Sequence, residues 1–257
     1  MAHAFQSESQ ATPAATSVTR SRFSCIAFNL NSSSISTDDT LSVVHLSATE
    51  LVGILDRVGI VAFAFSGVEV GSRRRLDAFG LLVMGLVTAT GGGLLRDIIL
   101  GRMPYVIARE DYLLWAAGSC VVAIALVWWH RQLPRRFLIL ADAAGLGAFA
   151  VAGALAAIHA GLALPAVIAL AILTAVGGGV LRDLMADQVP LVLRAEVNAT
   201  AAALGGLVVW TLDPVSTGAA AILGVAVTAL LRIGSVALNL HLPVPGLDAE
   251  GKQQRLL

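Results

Sequence analysis

Two short segments combine glycine, threonine and an arginine–aspartate pair at one fixed spacing. The segment that begins at Thr88 reads TATGGGLLRD, and the segment that begins at Thr174 reads TAVGGGVLRD. The two copies lie 86 residues apart, and the same offset pairs Asp56 with Asp142. Inside a membrane, such residues could present backbone polar groups and charged side chains to an ion or a polar solute.

The glycine triplets are the first candidate sites. Three consecutive glycines weaken a helix by about 1 kcal/mol each relative to alanine, so we expect a kink or a short unwound turn there. Freed carbonyls and amides would face a watery cavity, and we expect alanine at Gly92 or Gly178 to leave a folded oligomer with reduced flux. The alternative is that the glycines only let helices approach closely. The candidate residues are Gly91, Gly92, Gly93, Gly177, Gly178 and Gly179, with hydroxyls from Thr88 and Thr174.

The charged residues of the motif are the second group of candidates. A charge at the centre of a bilayer costs about 2.5–3.5 kcal/mol, so such residues face a pore or find a partner. We expect Asp56 to neighbour Arg96 at one mouth of the protein, and Asp142 to neighbour Arg182 at the other. The alternative is a set of helix-locking or snorkelling ion pairs that never touch the solute. The candidate residues are Asp56, Arg96, Asp97, Asp142, Arg182 and Asp183.

The elements that carry these residues are predicted to be transmembrane helices. Of the 257 residues, 57% are hydrophobic and only 13% are charged, which excludes an ordinary soluble domain. Apolar stretches long enough to cross a hydrocarbon core of about 30 Å recur along the chain. Seven such spans are expected, near residues 51–70, 78–100, 112–129, 137–158, 163–186, 198–212 and 216–236.

The repeat organises these spans. Each copy holds three spans, an odd number, so the second copy enters the membrane from the opposite side and the two form an inverted repeat. The predicted fold is an all-α polytopic membrane protein with two three-helix units and one added helix. We divide the chain into a disordered extension at 1–48, repeats at 49–134 and 135–215, a seventh helix at 216–238 and a cytoplasmic tail at 239–257.

The distribution of arginine predicts the orientation. The loops after the first and third spans contain Arg73 to Arg75 and the cluster Arg131, Arg135 and Arg136, and positive residues are retained in the cytoplasm. This arrangement places the N-terminus outside and the C-terminus inside a bacterial inner membrane. Glu69, beside the first arginine cluster, is interpreted as an interfacial charge.

Other function classes find little support in the sequence. The 17 basic and 17 acidic residues balance, so no basic excess indicates nucleic acid. Cys25 and Cys120 have neither metal-ligand nor disulfide-framework spacing. The predicted spans contain no nucleophile–base pair and no set of metal ligands, so we expect neither an enzyme nor a cofactor.

The duplicated three-helix unit with Gly-Gly-Gly-x-Leu-Arg-Asp in the second and fifth spans resembles the bacterial membrane family with paired glycine transporter domains. That family is similar to the prokaryotic trimeric intracellular cation (TRIC) channels. The resemblance covers about residues 50–238. It implies a homotrimer with one ion pathway through each protomer, past kinked second and fifth helices, and potassium conduction.

The resemblance leaves the activity divided between two classes. The leading interpretation is a potassium channel in contact with membrane lipids, and the alternative is a secondary transporter of glycine or a similar zwitterion. Thr90 is matched by Val176, a small departure from symmetry. Lys252 is the only lysine, so the lysine-bearing lipid motif of animal members is not carried over.

Overall fold

The structure is a computed structural model that describes residues 48–130, 134–194 and 197–238. Three predictions lie outside these ranges: the disorder of the N-terminal extension, the cytoplasmic tail at 239–257, and the placement of Arg131.

The described residues are helical, with no strand among them. Six helices are long and apolar enough to cross a membrane, and the 16-residue α8 is a shorter apolar helix. The predicted all-α membrane fold is therefore confirmed, with six candidate spans where seven were expected. In chain order the helices are α1 (Ala48–Arg73), α2 (Ala78–Ile99), α3 (Tyr105–Ala108), α4 (Glu110–His130), α5 (Arg135–His159), α6 (Leu164–Met185), α7 (Leu191–Arg194), α8 (Val197–Leu212) and α9 (Thr217–Ala237).

The ends of the long helices follow the 86-residue offset. The backbone turns into the left-handed region at Arg75 after α1 and at Gly161 after α5, with φ of 59° and 71°. It does so again at Gly101 after α2 and at Asp187 after α6, with φ of 66° and 51°. Amides that follow these residues bond back to carbonyls in the last helical turn, which satisfies otherwise unpaired groups. The repeat therefore extends from the motif to the helix termini.

Four helices form the centre of the bundle. α1 packs on α2 and α5, and α6 packs on α2 and α5, while α4 covers α1 and α2, and α8 and α9 cover α5. Phe63 and Phe149, a repeat pair, meet edge to face with ring centroids 5.2 Å apart. A Cβ added at Gly59 would lie 2.6 Å from Phe149, and one at Gly145 would lie 2.7 Å from Phe63. The glycines thus make room for the two rings, and the contacts are reciprocal between the repeats.

Candidate functional site

The glycine triplets lie where α2 and α6 cross. Both helices run through their triplets without an unwound turn, so the expected unwound turn is wrong. A Cβ at Gly92 would collide with the carbonyl oxygen of Thr174, and a Cβ at Gly178 would collide with that of Thr88. Backbone contact this close fixes both helices and keeps their hydrogen bonds intact. The lack of space for a Cβ argues against the expectation that alanine at these two positions leaves a folded oligomer.

The third glycine of each triplet has a different environment. A Cβ at Gly93 would meet only the guanidinium of Arg96, at 3.8 Å, and a Cβ at Gly179 would meet only that of Arg182, at 3.7 Å. At the first position, a Cβ on Gly91 would lie 2.6 Å from Leu181, and one on Gly177 would lie 3.1 Å from Leu95. The first two glycines therefore serve packing, whereas the third faces the arginine side chain.

The two threonine hydroxyls lie inside the bundle and bond to their own helices. Thr88 donates to the carbonyl of Met84 and Thr174 to that of Leu170, each at 2.6 Å. Both threonines are fully buried. Each hydroxyl has satisfied its donor in this way, so the threonines are placed at the crossing and not at an open lumen.

The first charged cluster joins α1 to α2. Arg96 donates to both carboxylate oxygens of Asp56, at 2.7 and 2.9 Å, and its Nε donates to Asp97 at 2.8 Å. Neither Arg96 nor Asp56 is exposed beyond 3%. The expected neighbourhood of Asp56 and Arg96 is confirmed, as a buried bidentate ion pair.

Each motif aspartate also caps a short helix. The Oδ2 atom of Asp97 accepts from the amide of Tyr105 at the start of α3, at 3.0 Å, and Oδ1 accepts from Arg102. In the second repeat, Asp183 accepts from the amide of Leu191 at the start of α7, at 2.8 Å. An aspartate at a helix N-terminus satisfies a free amide and interacts favourably with the helix dipole. The two motifs therefore fix the segments that follow α2 and α6.

The second charged cluster departs from the first. Arg182 donates to Ser66 of α1 at 2.6 Å and to Asp183 at 2.8 Å, while Asp142 accepts from Arg232 of α9 at 2.9 Å. The Asp142 and Arg182 side chains line one cavity, but the ion pair that matches Asp56–Arg96 is replaced by these bonds. The physical reason is that Ser66 gives Arg182 an acceptor that Arg96 lacks, because the residue 86 positions after Ser66 is Ala152.

Two small cavities adjoin the clusters. Each has a volume of about 20 Å³, enough for one water-sized particle. Every residue that lines the first cavity has its repeat partner in the lining of the second, with Phe149 and Phe63 exchanging places. The candidates in the lining are Asp56, Gly93, Arg96 and Asp97 in the first cavity, and Asp142, Gly179, Arg182 and Asp183 in the second.

Sequence reasoning missed an aromatic stack over the first cavity. The rings of Tyr105 and Tyr112 are stacked with centroids 5.6 Å apart. The guanidinium of Arg102 lies over Tyr105 and that of Arg57 over Tyr112, at 5.1 and 4.9 Å from the ring centroids. The available signal was that these are the only two tyrosines in the chain.

Glu69 is buried inside the protein, beside the exposed arginines at the end of α1. It is 2% exposed and accepts from the Nε of Arg73, one turn later, at 3.0 Å. The described ranges contain no group of three or more histidine, cysteine or acidic side chains placed to hold a metal ion.

Comparisons with known proteins agree with this geometry. Residues 53–129 and 139–214 each match the family model described as glycine transporter. The UPF0126 inner membrane protein YadS of Escherichia coli K12 is 37% identical over 206 residues, which cover 79% of this chain and 100% of the relative.

Solved structures give the same result. A structure that explains conductance through TRIC cation channels is 34% identical, with a TM-score of 0.69 over 77% of this chain and 98% of that one. The TRIC channel orthologue of Rhodobacter sphaeroides is 35% identical, with a TM-score of 0.67 over 74% of this chain and 99% of that one. The chain therefore belongs to the glycine transporter family, the UPF0126 membrane proteins, and shares its fold with TRIC cation channels.

Proposed function

We propose that this protein is a monovalent cation channel of the TRIC type that conducts potassium, with one pathway in each protomer of a homotrimer. The observation that carries this proposal is the likeness to TRIC channels along three quarters of the chain, at 32–35% identity. A cation channel also agrees with the six membrane-length helices and with buried ionisable residues, which mark ion pathways when they occur inside membranes.

The pathway is proposed to follow α2 and α6 from one charged cavity to the other. The two cavities are lined by motif residues of the two repeats, and α2 and α6 cross in close contact at Gly92 and Gly178. Passage therefore requires a small movement at the crossing or along the third glycines, Gly93 and Gly179. Within the two triplets, Gly93 and Gly179 are the positions where an added Cβ would have space.

The inverted repeat and the seventh span are part of the same proposal. Reciprocal contacts, such as Phe63 on Gly145 against Phe149 on Gly59, support a pseudo-two-fold relation between the halves. The helix α8 measures about 24 Å at 1.5 Å per residue, and the short α7 precedes it. Together they supply a seventh crossing. With seven crossings the N-terminus lies outside and the C-terminus in the cytoplasm of the inner membrane.

The size of the cavities favours a cation over the alternative cargo, glycine. A cavity of about 20 Å³ admits a particle the size of water or a dehydrated potassium ion, whereas glycine needs separate sites for its ammonium and carboxylate groups. The glycine carrier is supported by the family description alone.

Recording from purified protein in planar bilayers tests the proposal. We expect discrete unitary currents in symmetrical KCl, with a reversal potential that follows the potassium gradient. The same preparation in liposomes should take up no radiolabelled glycine, and light scattering after chromatography should give the mass of three chains. An electrically silent protein with saturable glycine uptake would establish the carrier and overturn the channel.

A further inference from the structure

One serine makes the two halves of the protein chemically unequal. In the first half, Arg96 is bonded to Asp56 through both terminal nitrogens. Arg182 of the second half directs Nη1 to the hydroxyl of Ser66, whereas the residue that corresponds to Ser66 for Arg96 is Ala152, which has no hydroxyl. Among the residues that the structure describes, Asp142 has one side-chain bond, in which Oδ2 accepts from the Nε of Arg232. The helix α9, which lies outside the repeat, supplies this last arginine.

The same cavity contains a buried acceptor without a donor. Asn198 is 7% exposed, and its Oδ1 atom has no hydrogen-bond partner in the part of the chain that the structure describes. Asn198 lines the second cavity together with Asp142 and Asp183. In the first half its place is taken by Tyr112, whose hydroxyl donates to the carbonyl of Gly53 at 3.4 Å. An unpaired buried oxygen carries an uncompensated desolvation penalty, so a hydrogen-bond donor or a cation beside Asn198 Oδ1 would be stabilising.

We propose that the second cavity is a binding site for one dehydrated monovalent cation, with oxygen ligands from Asp142 and Asn198. The volume of about 20 Å³ matches a particle of the size of water, which a potassium or rubidium ion is. A magnesium ion keeps several of its waters and demands octahedral ligands, which this volume does not hold. The negatively charged carboxylate of Asp142 and the amide oxygen of Asn198 would repel an anion.

The charges around the cavity are arranged to leave these oxygens available. The guanidinium of Arg182 is turned toward Asp183 and Ser66, so its charge is compensated away from Asp142. The two carboxylates and two guanidiniums of this cluster sum to zero net charge. A monovalent cation therefore adds only one unit of positive charge. Ser66 is a positioning residue, because it acts on the site through Arg182. The first cavity offers no equivalent site, since Asp56 is occupied by Arg96 on both oxygens.

This site rests on the proposed pathway for its choice of ion, and its occupancy can be measured without any current. Crystals of the full chain grown in RbCl are to be measured at the rubidium absorption edge. We expect an anomalous peak within about 3 Å of Asn198 Oδ1 and no peak in the first cavity. Water without anomalous signal in the second cavity, or rubidium in both cavities alike, overturns the proposal.

Two variants test the ligands and the role of Ser66. Ser66→Ala recreates the acceptors of the first half, so we expect Arg182 to turn to Asp142 and the anomalous peak to disappear. Asn198→Leu removes the amide oxygen, keeps the branching of the side chain at Cγ with a larger volume, and should also abolish the peak. Ser119→Ala is the matched control, because Ser119 is a buried serine that bonds within its own helix, to the carbonyl of Trp115. A peak that persists in Ser66→Ala with Arg182 turned to Asp142 contradicts the proposal.

Thermal unfolding gives a second readout for the same proteins. The Tm of the wild type and of Ser119→Ala should rise in RbCl over choline chloride at equal concentration, because a ligand that binds only the folded state stabilises it. Neither Asn198→Leu nor Ser66→Ala should show the rise, and a rise of wild-type size in Asn198→Leu refutes the site. If rubidium binds while the protein conducts no potassium, the site stands and the channel fails. If the protein conducts potassium but no rubidium binds in the second cavity, the channel stands and the site fails.

Discussion

Each motif arginine is held by two oxygen-bearing side chains, and the number of carboxylates among them differs between the repeats. Arg96 contacts the carboxylates of Asp56 and Asp97, and all three side chains are buried. Arg182 contacts one carboxylate and one hydroxyl. When one partner of a buried ion pair is removed, the remaining charge is left uncompensated, at a cost of about 3–5 kcal/mol. The two aspartates of α1 and α5 should therefore differ in their importance for stability.

The first prediction compares Asp56→Asn with Asp142→Asn. Replacing Asp56 removes two bonds from a buried guanidinium, so we expect the unfolding free energy in detergent to fall by about 3–5 kcal/mol. Replacing Asp142 removes one bond to Arg232, whose side chain is 12% exposed and reaches solvent, so we expect a loss of about 1–3 kcal/mol. Thermal unfolding monitored by fluorescence measures both. Equal losses, or a larger loss for Asp142→Asn, would show that the two clusters are energetically equivalent.

At the scale of the helix, the glycine triplets allow α2 and α6 to cross in close backbone contact. A run of three glycines in an apolar span can either break the helix or allow close contact with another helix. The sequence alone does not show which segment packs against the run, and that contact determines the outcome. The partner is the other triplet: Gly92 meets the carbonyl of Thr174, and Gly178 meets that of Thr88. Small residues let membrane helices approach to backbone contact. The helix remains intact because packing offsets the weakness of the glycines.

The second prediction separates packing glycines from cavity glycines. Alanine at Gly92 or Gly178 forces the crossing apart, so we expect destabilisation of about 1–3 kcal/mol, which is typical of overpacking. Alanine at Gly93 or Gly179 meets no atom closer than 3.7 Å, so the protein should fold and assemble as the wild type does. Its methyl group narrows a cavity, and single-channel conductance should fall.

The control for this series is Gly118→Ala on α4, where an added Cβ meets nothing within 4 Å and lines neither charged cavity. It should match the wild type in Tm, in oligomer size and in conductance. If Gly93→Ala and Gly179→Ala conduct like this control, the third glycines do not line the pathway. A stable, fully assembled Gly92→Ala protein would contradict the crossing itself.

The sequence predicted the helices better than it predicted which charged side chains would pair. Span lengths identified Asp56 as the neighbour of Arg96, because they place both residues at one end of the bundle. The offset of 86 residues extended this expectation to Asp142 and Arg182. Asp142 and Arg182 do line one cavity, but the offset could not indicate that Arg182 bonds to Ser66, because that choice depends on one hydroxyl on another helix. Arg232 lies outside the repeat, so no internal comparison could have assigned it to Asp142. The capping of α3 by Asp97 was missed because a four-residue helix leaves no periodic signal.

At the scale of the molecule, the proposed inverted repeat places the two charged clusters at opposite ends of the bundle. Asp56 is near the start of α1 and Arg96 near the end of α2, whereas Asp142 is near the start of α5 and Arg182 near the end of α6. Each cluster contains two carboxylates and two guanidiniums, the first completed by Arg102 and the second by Arg232. The ends differ in chemistry: paired tyrosines cover the first, and an amide oxygen lines the second.

The last prediction assigns these ends to sides of the membrane. The exposed arginines that follow α1 at positions 73–75 belong to the end that holds Asp142 and Arg182, and positive residues are retained in the cytoplasm. In a background with Cys25→Ser and Cys120→Ala, we expect Met103→Cys to react with an impermeant maleimide in intact cells, because Met103 is 67% exposed and follows α2. Arg74→Cys should react only after the cells are opened. Labelling of position 74 in intact cells would reverse the orientation and place the site at Asn198 on the outer face.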